Sequence, residues 1–331
     1  MNSRSQSVRL SQSAPIVLEA SSVGCAARAR LGGEGEGVIL GVFDGAINVG
    51  LLRGMVCLVP EAVERGPLNI TLRLPARASK MSSLGARAGD KVRVRGGKLE
   101  LCDHYRIAFR HAQVYWPKRE FTSSILEDAG ISSNLEVVRK TALRLGSKAG
   151  LGGLLVLLGP ATGQRAARPL NIFASAAIPS LIRLEQAFRS EDGSLMTDAI
   201  GGLIGLGPGL TPSSDDMLAG LVLLCILYTR SRESSLGSNR FISQAIAEEA
   251  QGKTTALSEE WLRQAALGRG NEPVMRLCEA VLTSQPKDVE RETKRVLTIG
   301  ETSGTDIALG VVLGAMLCTG KPLGLESRKC N

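Results

Sequence analysis

An α+β protein is predicted. An N-terminal antiparallel β barrel or sandwich-like domain spans residues 1–118, and a mainly α-helical domain spans 119–331. Three observations predict this. The apolar period switches from two residues to a helical spacing near Trp116-Pro117. The charge switches at the same place: residues 1–118 hold 17 Lys+Arg against 9 Asp+Glu, and residues 119–331 hold 23 against 23. A length of 331 residues also exceeds what one core needs.

The first domain reads as short strands. PIVLEA (15–20), VGCAARAR (23–30), GVILGVF (37–43), MVCLVP (55–60), LNITLRLP (68–75), KVRVR (91–95), LELCD (99–103) and YRIAF (105–109) are runs punctuated by Gly, Pro and Asp. Gly96-Gly97 between two alternating runs signals a hairpin. No helical period interrupts them, which implies antiparallel pairing. In KVRVR, Val92 and Val94 alternate with Lys91, Arg93 and Arg95, giving a half-buried strand with a basic outer face. Such a face is either solvated or a surface for an anionic partner. Stacking aromatics are missing around it, so no nucleic-acid partner is expected.

The second domain reads as helices. SSNLEVVRKTALRLGS spaces Leu135, Val138, Ala142 and Leu145 helically, with Ser132 or Ser133 as cap. Further helices are predicted at about 174–189, 194–204, 215–229, 240–251, 258–267, 272–284, 287–298 and 305–319. LGGLLVLLG (151–159) fits a helix turn or a strand.

Several function classes are excluded. No apolar run reaches the roughly 18 residues of a membrane span. Residues 1–14 are a polar tail without the apolar stretch of a secretory signal. Seven scattered cysteines without C-x-x-C spacing argue against disulfides or zinc and for a reducing cytoplasm. Two histidines, His104 and His111, cannot build a multi-histidine metal site. No G-x-S-x-G elbow is present.

Residues Gly205 to Asp216, GLGPGLTPSSDD, carry the chemistry. A helix start leaves about four backbone N–H groups unpaired and carries partial positive charge. Read plainly, Thr211 or Ser213 caps the helix, and Asp215 and Asp216 are favourable first-turn charges. Capping leaves the glycines and prolines before it unexplained. A Gly-rich loop with freed amides is the usual recipe for holding phosphate or carboxylate. Two aspartates beside it suit fixing the loop, accepting N–H bonds from an amide substrate, or holding a hard cation such as Mg²⁺. No cofactor or resident metal is expected. Ser303-Gly304-Thr305-Asp306-x-x-x-Gly310 echoes Ser213-Ser214-Asp215-Asp216-x-x-x-Gly220. If the two helices cross through Gly220 and Gly310, their N-termini converge on one site. Asn48, in a turn between strand-like runs, is a further ligand contact or simply bonds its own backbone. In KTTALSEEW (253–261), Ser258 is the expected cap.

GLGPGLTPSSDDMLAG closely resembles the signature of the family catalogued as domain of unknown function 2877, usually GLGPGLTPSGDD before an apolar helix. LTIGETSGTDIALGVVLG (297–314) is similar to its second block, and VFDGAINV (42–49) and GPLNI (66–70) to its N-terminal blocks. Ser214 replaces the usual Gly, which strains the backbone by about 1–2 kcal/mol if that position needs a positive φ. AllH-like members of the family are subunits of an oxamate carbamoyltransferase of allantoin and purine breakdown. The resemblance therefore implies carbamoyl transfer between carbamoyl phosphate and oxamate, with phosphorolysis of oxalurate as the reverse, beside FdrA-like and AllG-like subunits. On that reading Asp215, Asp216 and Asp306 orient the amide and relay a proton. Gly207, Gly209, Thr211, Ser213, Ser214, Ser303, Gly304 and Asn48 contact the substrate. The alternative is a non-catalytic small-anion-binding or assembly subunit. The S-T-R-T-R segment of ordinary transcarbamoylases is missing, and TRSRES (229–234) does not match it. Transfer here uses another fold, or a partner supplies the chemistry.

Overall fold

The chain divides into two compact units, residues 1–115 and 116–331. The computed structural model describes residues 15–75, 78–102, 104–118, 124–158, 169–232 and 237–325. The polar tail 1–14 and Cys330 lie outside them.

The first unit contains β1 (Ile16–Gly24), α1 (Cys25–Arg30), β2 (Gly35–Val42), β3 (Ile47–Leu51), β4 (Gly54–Pro60), β5 (Asn69–Leu72), β6 (Lys91–Arg95), β7 (Lys98–Leu101), β8 (Tyr105–Ala108) and β9 (Gln113–Tyr115). Neighbours run β5-β4-β3-β2-β6-β7-β8-β1, and a β1–β5 pairing closes the barrel. One strand can serve both ends because β1 is long. Ile16–Glu19 pair with β8, then a bulge after Ala20 turns the strand toward β5. Its last residues also pair with β9. The α+β class holds, but the barrel is mixed: β1–β8, β4–β5 and β1–β9 are parallel. The run 23–30 is strand only at Val23 and Gly24, the end of β1. Its apolar residues Cys25, Ala26 and Ala27 are buried in succession, and the chain enters α1. Pro67 O accepts the Ala26 and Ala27 amides at 3.0 Å each. The hairpin at Gly96-Gly97 is present, with both glycines at positive φ and Arg95 opposite Lys98. Val92 and Val94 face the barrel core with Ile39, Ile47, Leu99 and Ile107, while Lys91, Arg93 and Arg95 are exposed.

The second unit contains α2 (Asp128–Leu145), α3 (Ile172–Ser190), α4 (Gly193–Gly201), α5 (Ser213–Ser231), α6 (Gly237–Glu249), α7 (Ala256–Ala266), α8 (Glu272–Thr283), α9 (Pro286–Val296) and α10 (Ser303–Cys318). The ambiguous run after Gly150 is a short 3-10 helix, Gly152–Val156. Helix α2 begins at Asp128, so neither Ser132 nor Ser133 caps it. Helix α10 is buried continuously from Gly304 to Leu317. An all-round apolar helix needs a buried position, and α10 finds it against α5.

Glycines set that contact. A Cβ at Gly310 would stand 1.9 Å from Met217 O, one at Gly220 2.3 Å from Ile307 O, and one at Gly314 2.7 Å from Leu221 O. No side chain fits at these three positions, so the helix backbones touch. The expected crossing through Gly220 and Gly310 is observed. Among the described residues no helix is long and apolar enough to cross a membrane.

Candidate functional site

The crossing brings the two polar turns together. Thr211 Oγ1 lies 3.4 Å from Ser303 Oγ, although 92 residues separate them. Thr211 Oγ1 donates to Asp216 Oδ2 at 2.9 Å. Asp306, one turn into α10, is fully buried, while Asp216 retains some exposure. Burial pushes the Asp216 carboxyl up to about 7; the Ser303 and Thr211 hydroxyls hold it down in part, and the charges of Asp306 and Asp215 raise it. Burial pushes Asp306 up to about 6 against the opposing pull of the Ser213 hydroxyl, the Leu151 amide, Thr302 and the Gly152 amide. Each ordinarily titrates near 3.8. Two acids thus titrate near neutrality side by side.

Asp215 does something else. Its Oδ1 accepts the Gly205 amide at 2.7 Å, and its Oδ2 accepts the hydroxyls of Thr254 at 2.5 Å and Ser258 at 2.6 Å. The carboxylate is buried and both its oxygens are taken by these three donors, so it braces the loop. Ser258 is therefore a tether rather than a cap; Thr255 caps α7 through the Ser258 amide. Ser214 is likewise consumed. Its Oγ donates toward Leu203 O and Leu206 O and accepts the Leu206 amide. Ser214 sits inside α5, and its φ is not positive. Replacing the usual Gly there adds bonds without strain.

Six amides at the two helix starts are already used. Ser214 N donates to Leu206 O, Asp215 N and Asp216 N to Pro212 O, Gly304 N to Ile299 O, and Thr305 N and Asp306 N to Thr302 O. Gly304 is a packing residue, since a Cβ there would meet Val296 O at 2.1 Å. Gly207, at φ +116°, packs against the start of α5: a Cβ would lie 2.8 Å from Ser213 N. Gly209, at φ +105°, is exposed in the same turn. Neither Thr211 nor Ser213 caps α5; the N-cap position is Pro212. Asn48 lies on β3 of the first unit, buried at 7% exposure.

What remains is a cluster of hydroxyls and acids: Thr211, Ser213, Ser303, Asp216 and Asp306. Ser213 Oγ and Asp306 Oδ2 are both buried without a hydrogen-bond partner. Such orphans are uncommon. The two atoms are neighbours, both within 2.7 Å of where a Gly150 Cβ would stand, and the Ser213 hydroxyl pulls the Asp306 carboxyl down.

Sequence reasoning missed the floor of this cluster. Leu151 N donates to Asp306 Oδ1 at 2.7 Å, and Ser147 N donates to Thr305 Oγ1 at 2.9 Å. A Cβ at Gly150 would meet Asp306 Oδ2 at 2.3 Å and Ser213 Oγ at 2.7 Å. The only signal was the run of glycines at 146, 150, 152 and 153. Among the described residues no group of three His, Cys, Asp or Glu side chains is placed to hold a metal ion.

A model described as oxamate carbamoyltransferase subunit AllH matches residues 203–315, which span both turns and the crossing helices. A model of the AllH family N-terminal domain matches residues 19–114, the barrel. No solved structure matches the chain.

Proposed function

From the premise that this chain is an AllH-like subunit of an oxamate carbamoyltransferase, we propose that the Asp216–Asp306 cluster is where the carbamoyl group is transferred. The observation that carries this is the pair of acids raised to about 7 and about 6, where Asp306's own Oδ2 and the neighbouring Ser213 Oγ are buried without a hydrogen bond. A general acid–base works best when it titrates near the operating pH.

In the forward direction the oxamate amide nitrogen attacks the carbonyl carbon of carbamoyl phosphate. The new C–N bond forms, the C–O bond to phosphate breaks, and inorganic phosphate leaves with the electron pair. The nitrogen must shed one proton. Asp216 has the partial exposure and the affinity to accept it, while the Thr211 and Ser303 hydroxyls orient its carboxyl. Phosphorolysis of oxalurate runs the same steps backward, with Asp216 returning the proton. Asp306, deeper and less basic, tunes Asp216 through its charge.

The pair suits N–H groups and repels phosphate and carboxylate. The anionic ends of the substrates must therefore be held by other groups. FdrA-like and AllG-like partner subunits are the proposed source, and no cofactor is invoked. The scattered cysteines suit a cytoplasmic setting within allantoin and purine catabolism.

The test is phosphorolysis of oxalurate by the complex reconstituted from this chain and its partner subunits. Asp216→Asn keeps the shape and removes the titration. It should lower turnover by about 100-fold or more, the usual worth of a general base, with the complex intact by size. Undiminished turnover removes Asp216 from the chemistry. Oxamate binding by the isolated chain, combined with unchanged turnover in D216N, establishes the alternative of a ligand-binding or assembly subunit. Thermal shifts with carbamoyl phosphate, oxamate, oxalurate, phosphate and Mg²⁺ identify which species this chain binds, since binding to the native state raises its stability.

A further inference from the structure

Asn171 precedes α3, and its Oδ1 accepts the Ala174 amide at 2.8 Å as an ordinary N-cap. Serine or threonine would do that alone. The other half of the amide does a second job. Nδ2 donates toward three successive carbonyls, Lys148 O at 3.0 Å, Ala149 O at 3.1 Å and Gly150 O at 2.7 Å. The cap fixes which way the amide points, because only the oxygen can meet an N–H. Three carbonyls drawn to one donor curl the loop around it. The next amide in the chain is Leu151 N, which donates to Asp306 Oδ1. Ser147, at the other end of the curl, is tied to Thr305, the neighbour of Asp306. Gly150 packs against Asp306 Oδ2 from the same loop.

From this chain of contacts we propose that Asn171 is a positioning residue for the reaction: by clamping residues 148–150 it aims the Leu151 amide at Asp306 and so sets that acid's proton affinity. The inference rests on the proposed role of the Asp216–Asp306 pair. It adds a residue that touches neither acid and lies 135 positions from Asp306 in sequence. The charged group coupled to Asp306 is Asp216 on α5; the other groups acting on it are the Ser213 and Thr302 hydroxyls and the Leu151 and Gly152 amides. Freeing the loop removes a donated bond that holds the Asp306 carboxyl down. Its affinity for a proton then rises, its mean negative charge at neutral pH falls, and Asp216 is raised less in turn.

Asn171→Ser tests this, because serine keeps the cap acceptor and lacks the donors. In the full-length chain, carboxyl-carbon NMR titration should show the Asp306 midpoint moving up by about one pH unit, the scale of one lost hydrogen bond to a carboxylate. Asp306→Asn identifies the resonance. Hydrogen exchange at Leu151 should speed up while the amides of α3 stay protected. In the reconstituted complex, the alkaline limb of the pH profile for oxalurate phosphorolysis, where Asp216 must carry the proton it returns, should shift down with the Asp216 midpoint. If N171S does not fold, Asn171→Asp, isosteric and still able to cap, is read in the same way. A folded variant with an unmoved Asp306 midpoint and a protected Leu151 amide overturns the proposal. A midpoint that moves while the pH profile stays fixed upholds the clamp and instead sinks the role of the acid pair in catalysis.

Discussion

Gly310→Ala should unfold the helical unit more easily, and the sign of the effect is the test. In an exposed helix, Gly→Ala stabilises by about 1 kcal/mol through propensity. At 310 the new Cβ would lie 1.9 Å from Met217 O and 2.8 Å from Leu221 N. Both are backbone atoms of α5, so no side chain can swing aside. Restoring a separation of 3.0 Å moves the helices apart locally by 1.1 Å. That loosens packing along two helices buried for most of their length. Overpacking of a filled core typically costs 1–3 kcal/mol. A backbone collision belongs at the top of that range, so a net loss of about 2–3 kcal/mol is expected. At about 2–4 °C per kcal/mol for a unit of this size, Tm should fall by roughly 4–12 °C. Differential scanning calorimetry, following the transition of residues 116–331, reads this directly. The variant should also weaken the coupling of Asp216 to Asp306, because the same crossing brings them together. An unchanged or higher Tm would mean that the helices do not meet backbone to backbone, and convergence of the two turns would lose its basis.

Three further outcomes follow from the same geometry. Asp215→Ala leaves the Gly205 amide and the Thr254 and Ser258 hydroxyls without their acceptor. At about 1–3 kcal/mol for an unsatisfied buried group, the loss should reach about 3–5 kcal/mol by urea unfolding, and a loss below about 1 kcal/mol would show that Asp215 is not the brace. Ser214→Gly restores the family's usual residue yet should destabilise by about 1–2 kcal/mol, since it removes the bonds to Leu203 and Leu206 and adds a helical glycine; a more stable variant would contradict the observed backbone. For pH dependence the sign is set by raised acids. Asp216 and Asp306 bind protons more tightly folded than unfolded, so the stability they contribute is present below about pH 4 and is lost as pH rises through about 6 and about 7. Chemical unfolding of the wild type should show that decline, and Asp216→Asn should flatten its upper part; equal slopes in the two proteins would refute the raised carboxyl.

Much of the fold was legible in sequence because local periodicity determines it. KVRVR placed Val92 and Val94 inward and its cations outward, and the helices from 172 onward lie close to their apolar spacing. The turns were legible too, since adjacent Gly, Pro, Ser and Asp have few other uses. The parallel pairings were not legible, because strand partners are chosen by barrel closure rather than by the strand's own residues. Nor was α1, whose three small buried residues fit a strand as well as a helix.

At the site, sequence by itself determined the residues, the two helix starts, and the glycines that allow a close crossing. It could not say how the polar groups are shared out. Adjacent aspartates look equivalent in a string, yet Asp215 is spent on three donors while Asp216 meets Thr211 and Ser303. Six helix-start amides look free until the carbonyls of Leu206, Pro212, Ile299 and Thr302 are seen to take them. Whether a group is available depends on what burial and distant partners leave over. The Leu151 amide, on a loop 155 positions away from Asp306, entered the site only when the chain was packed in three dimensions.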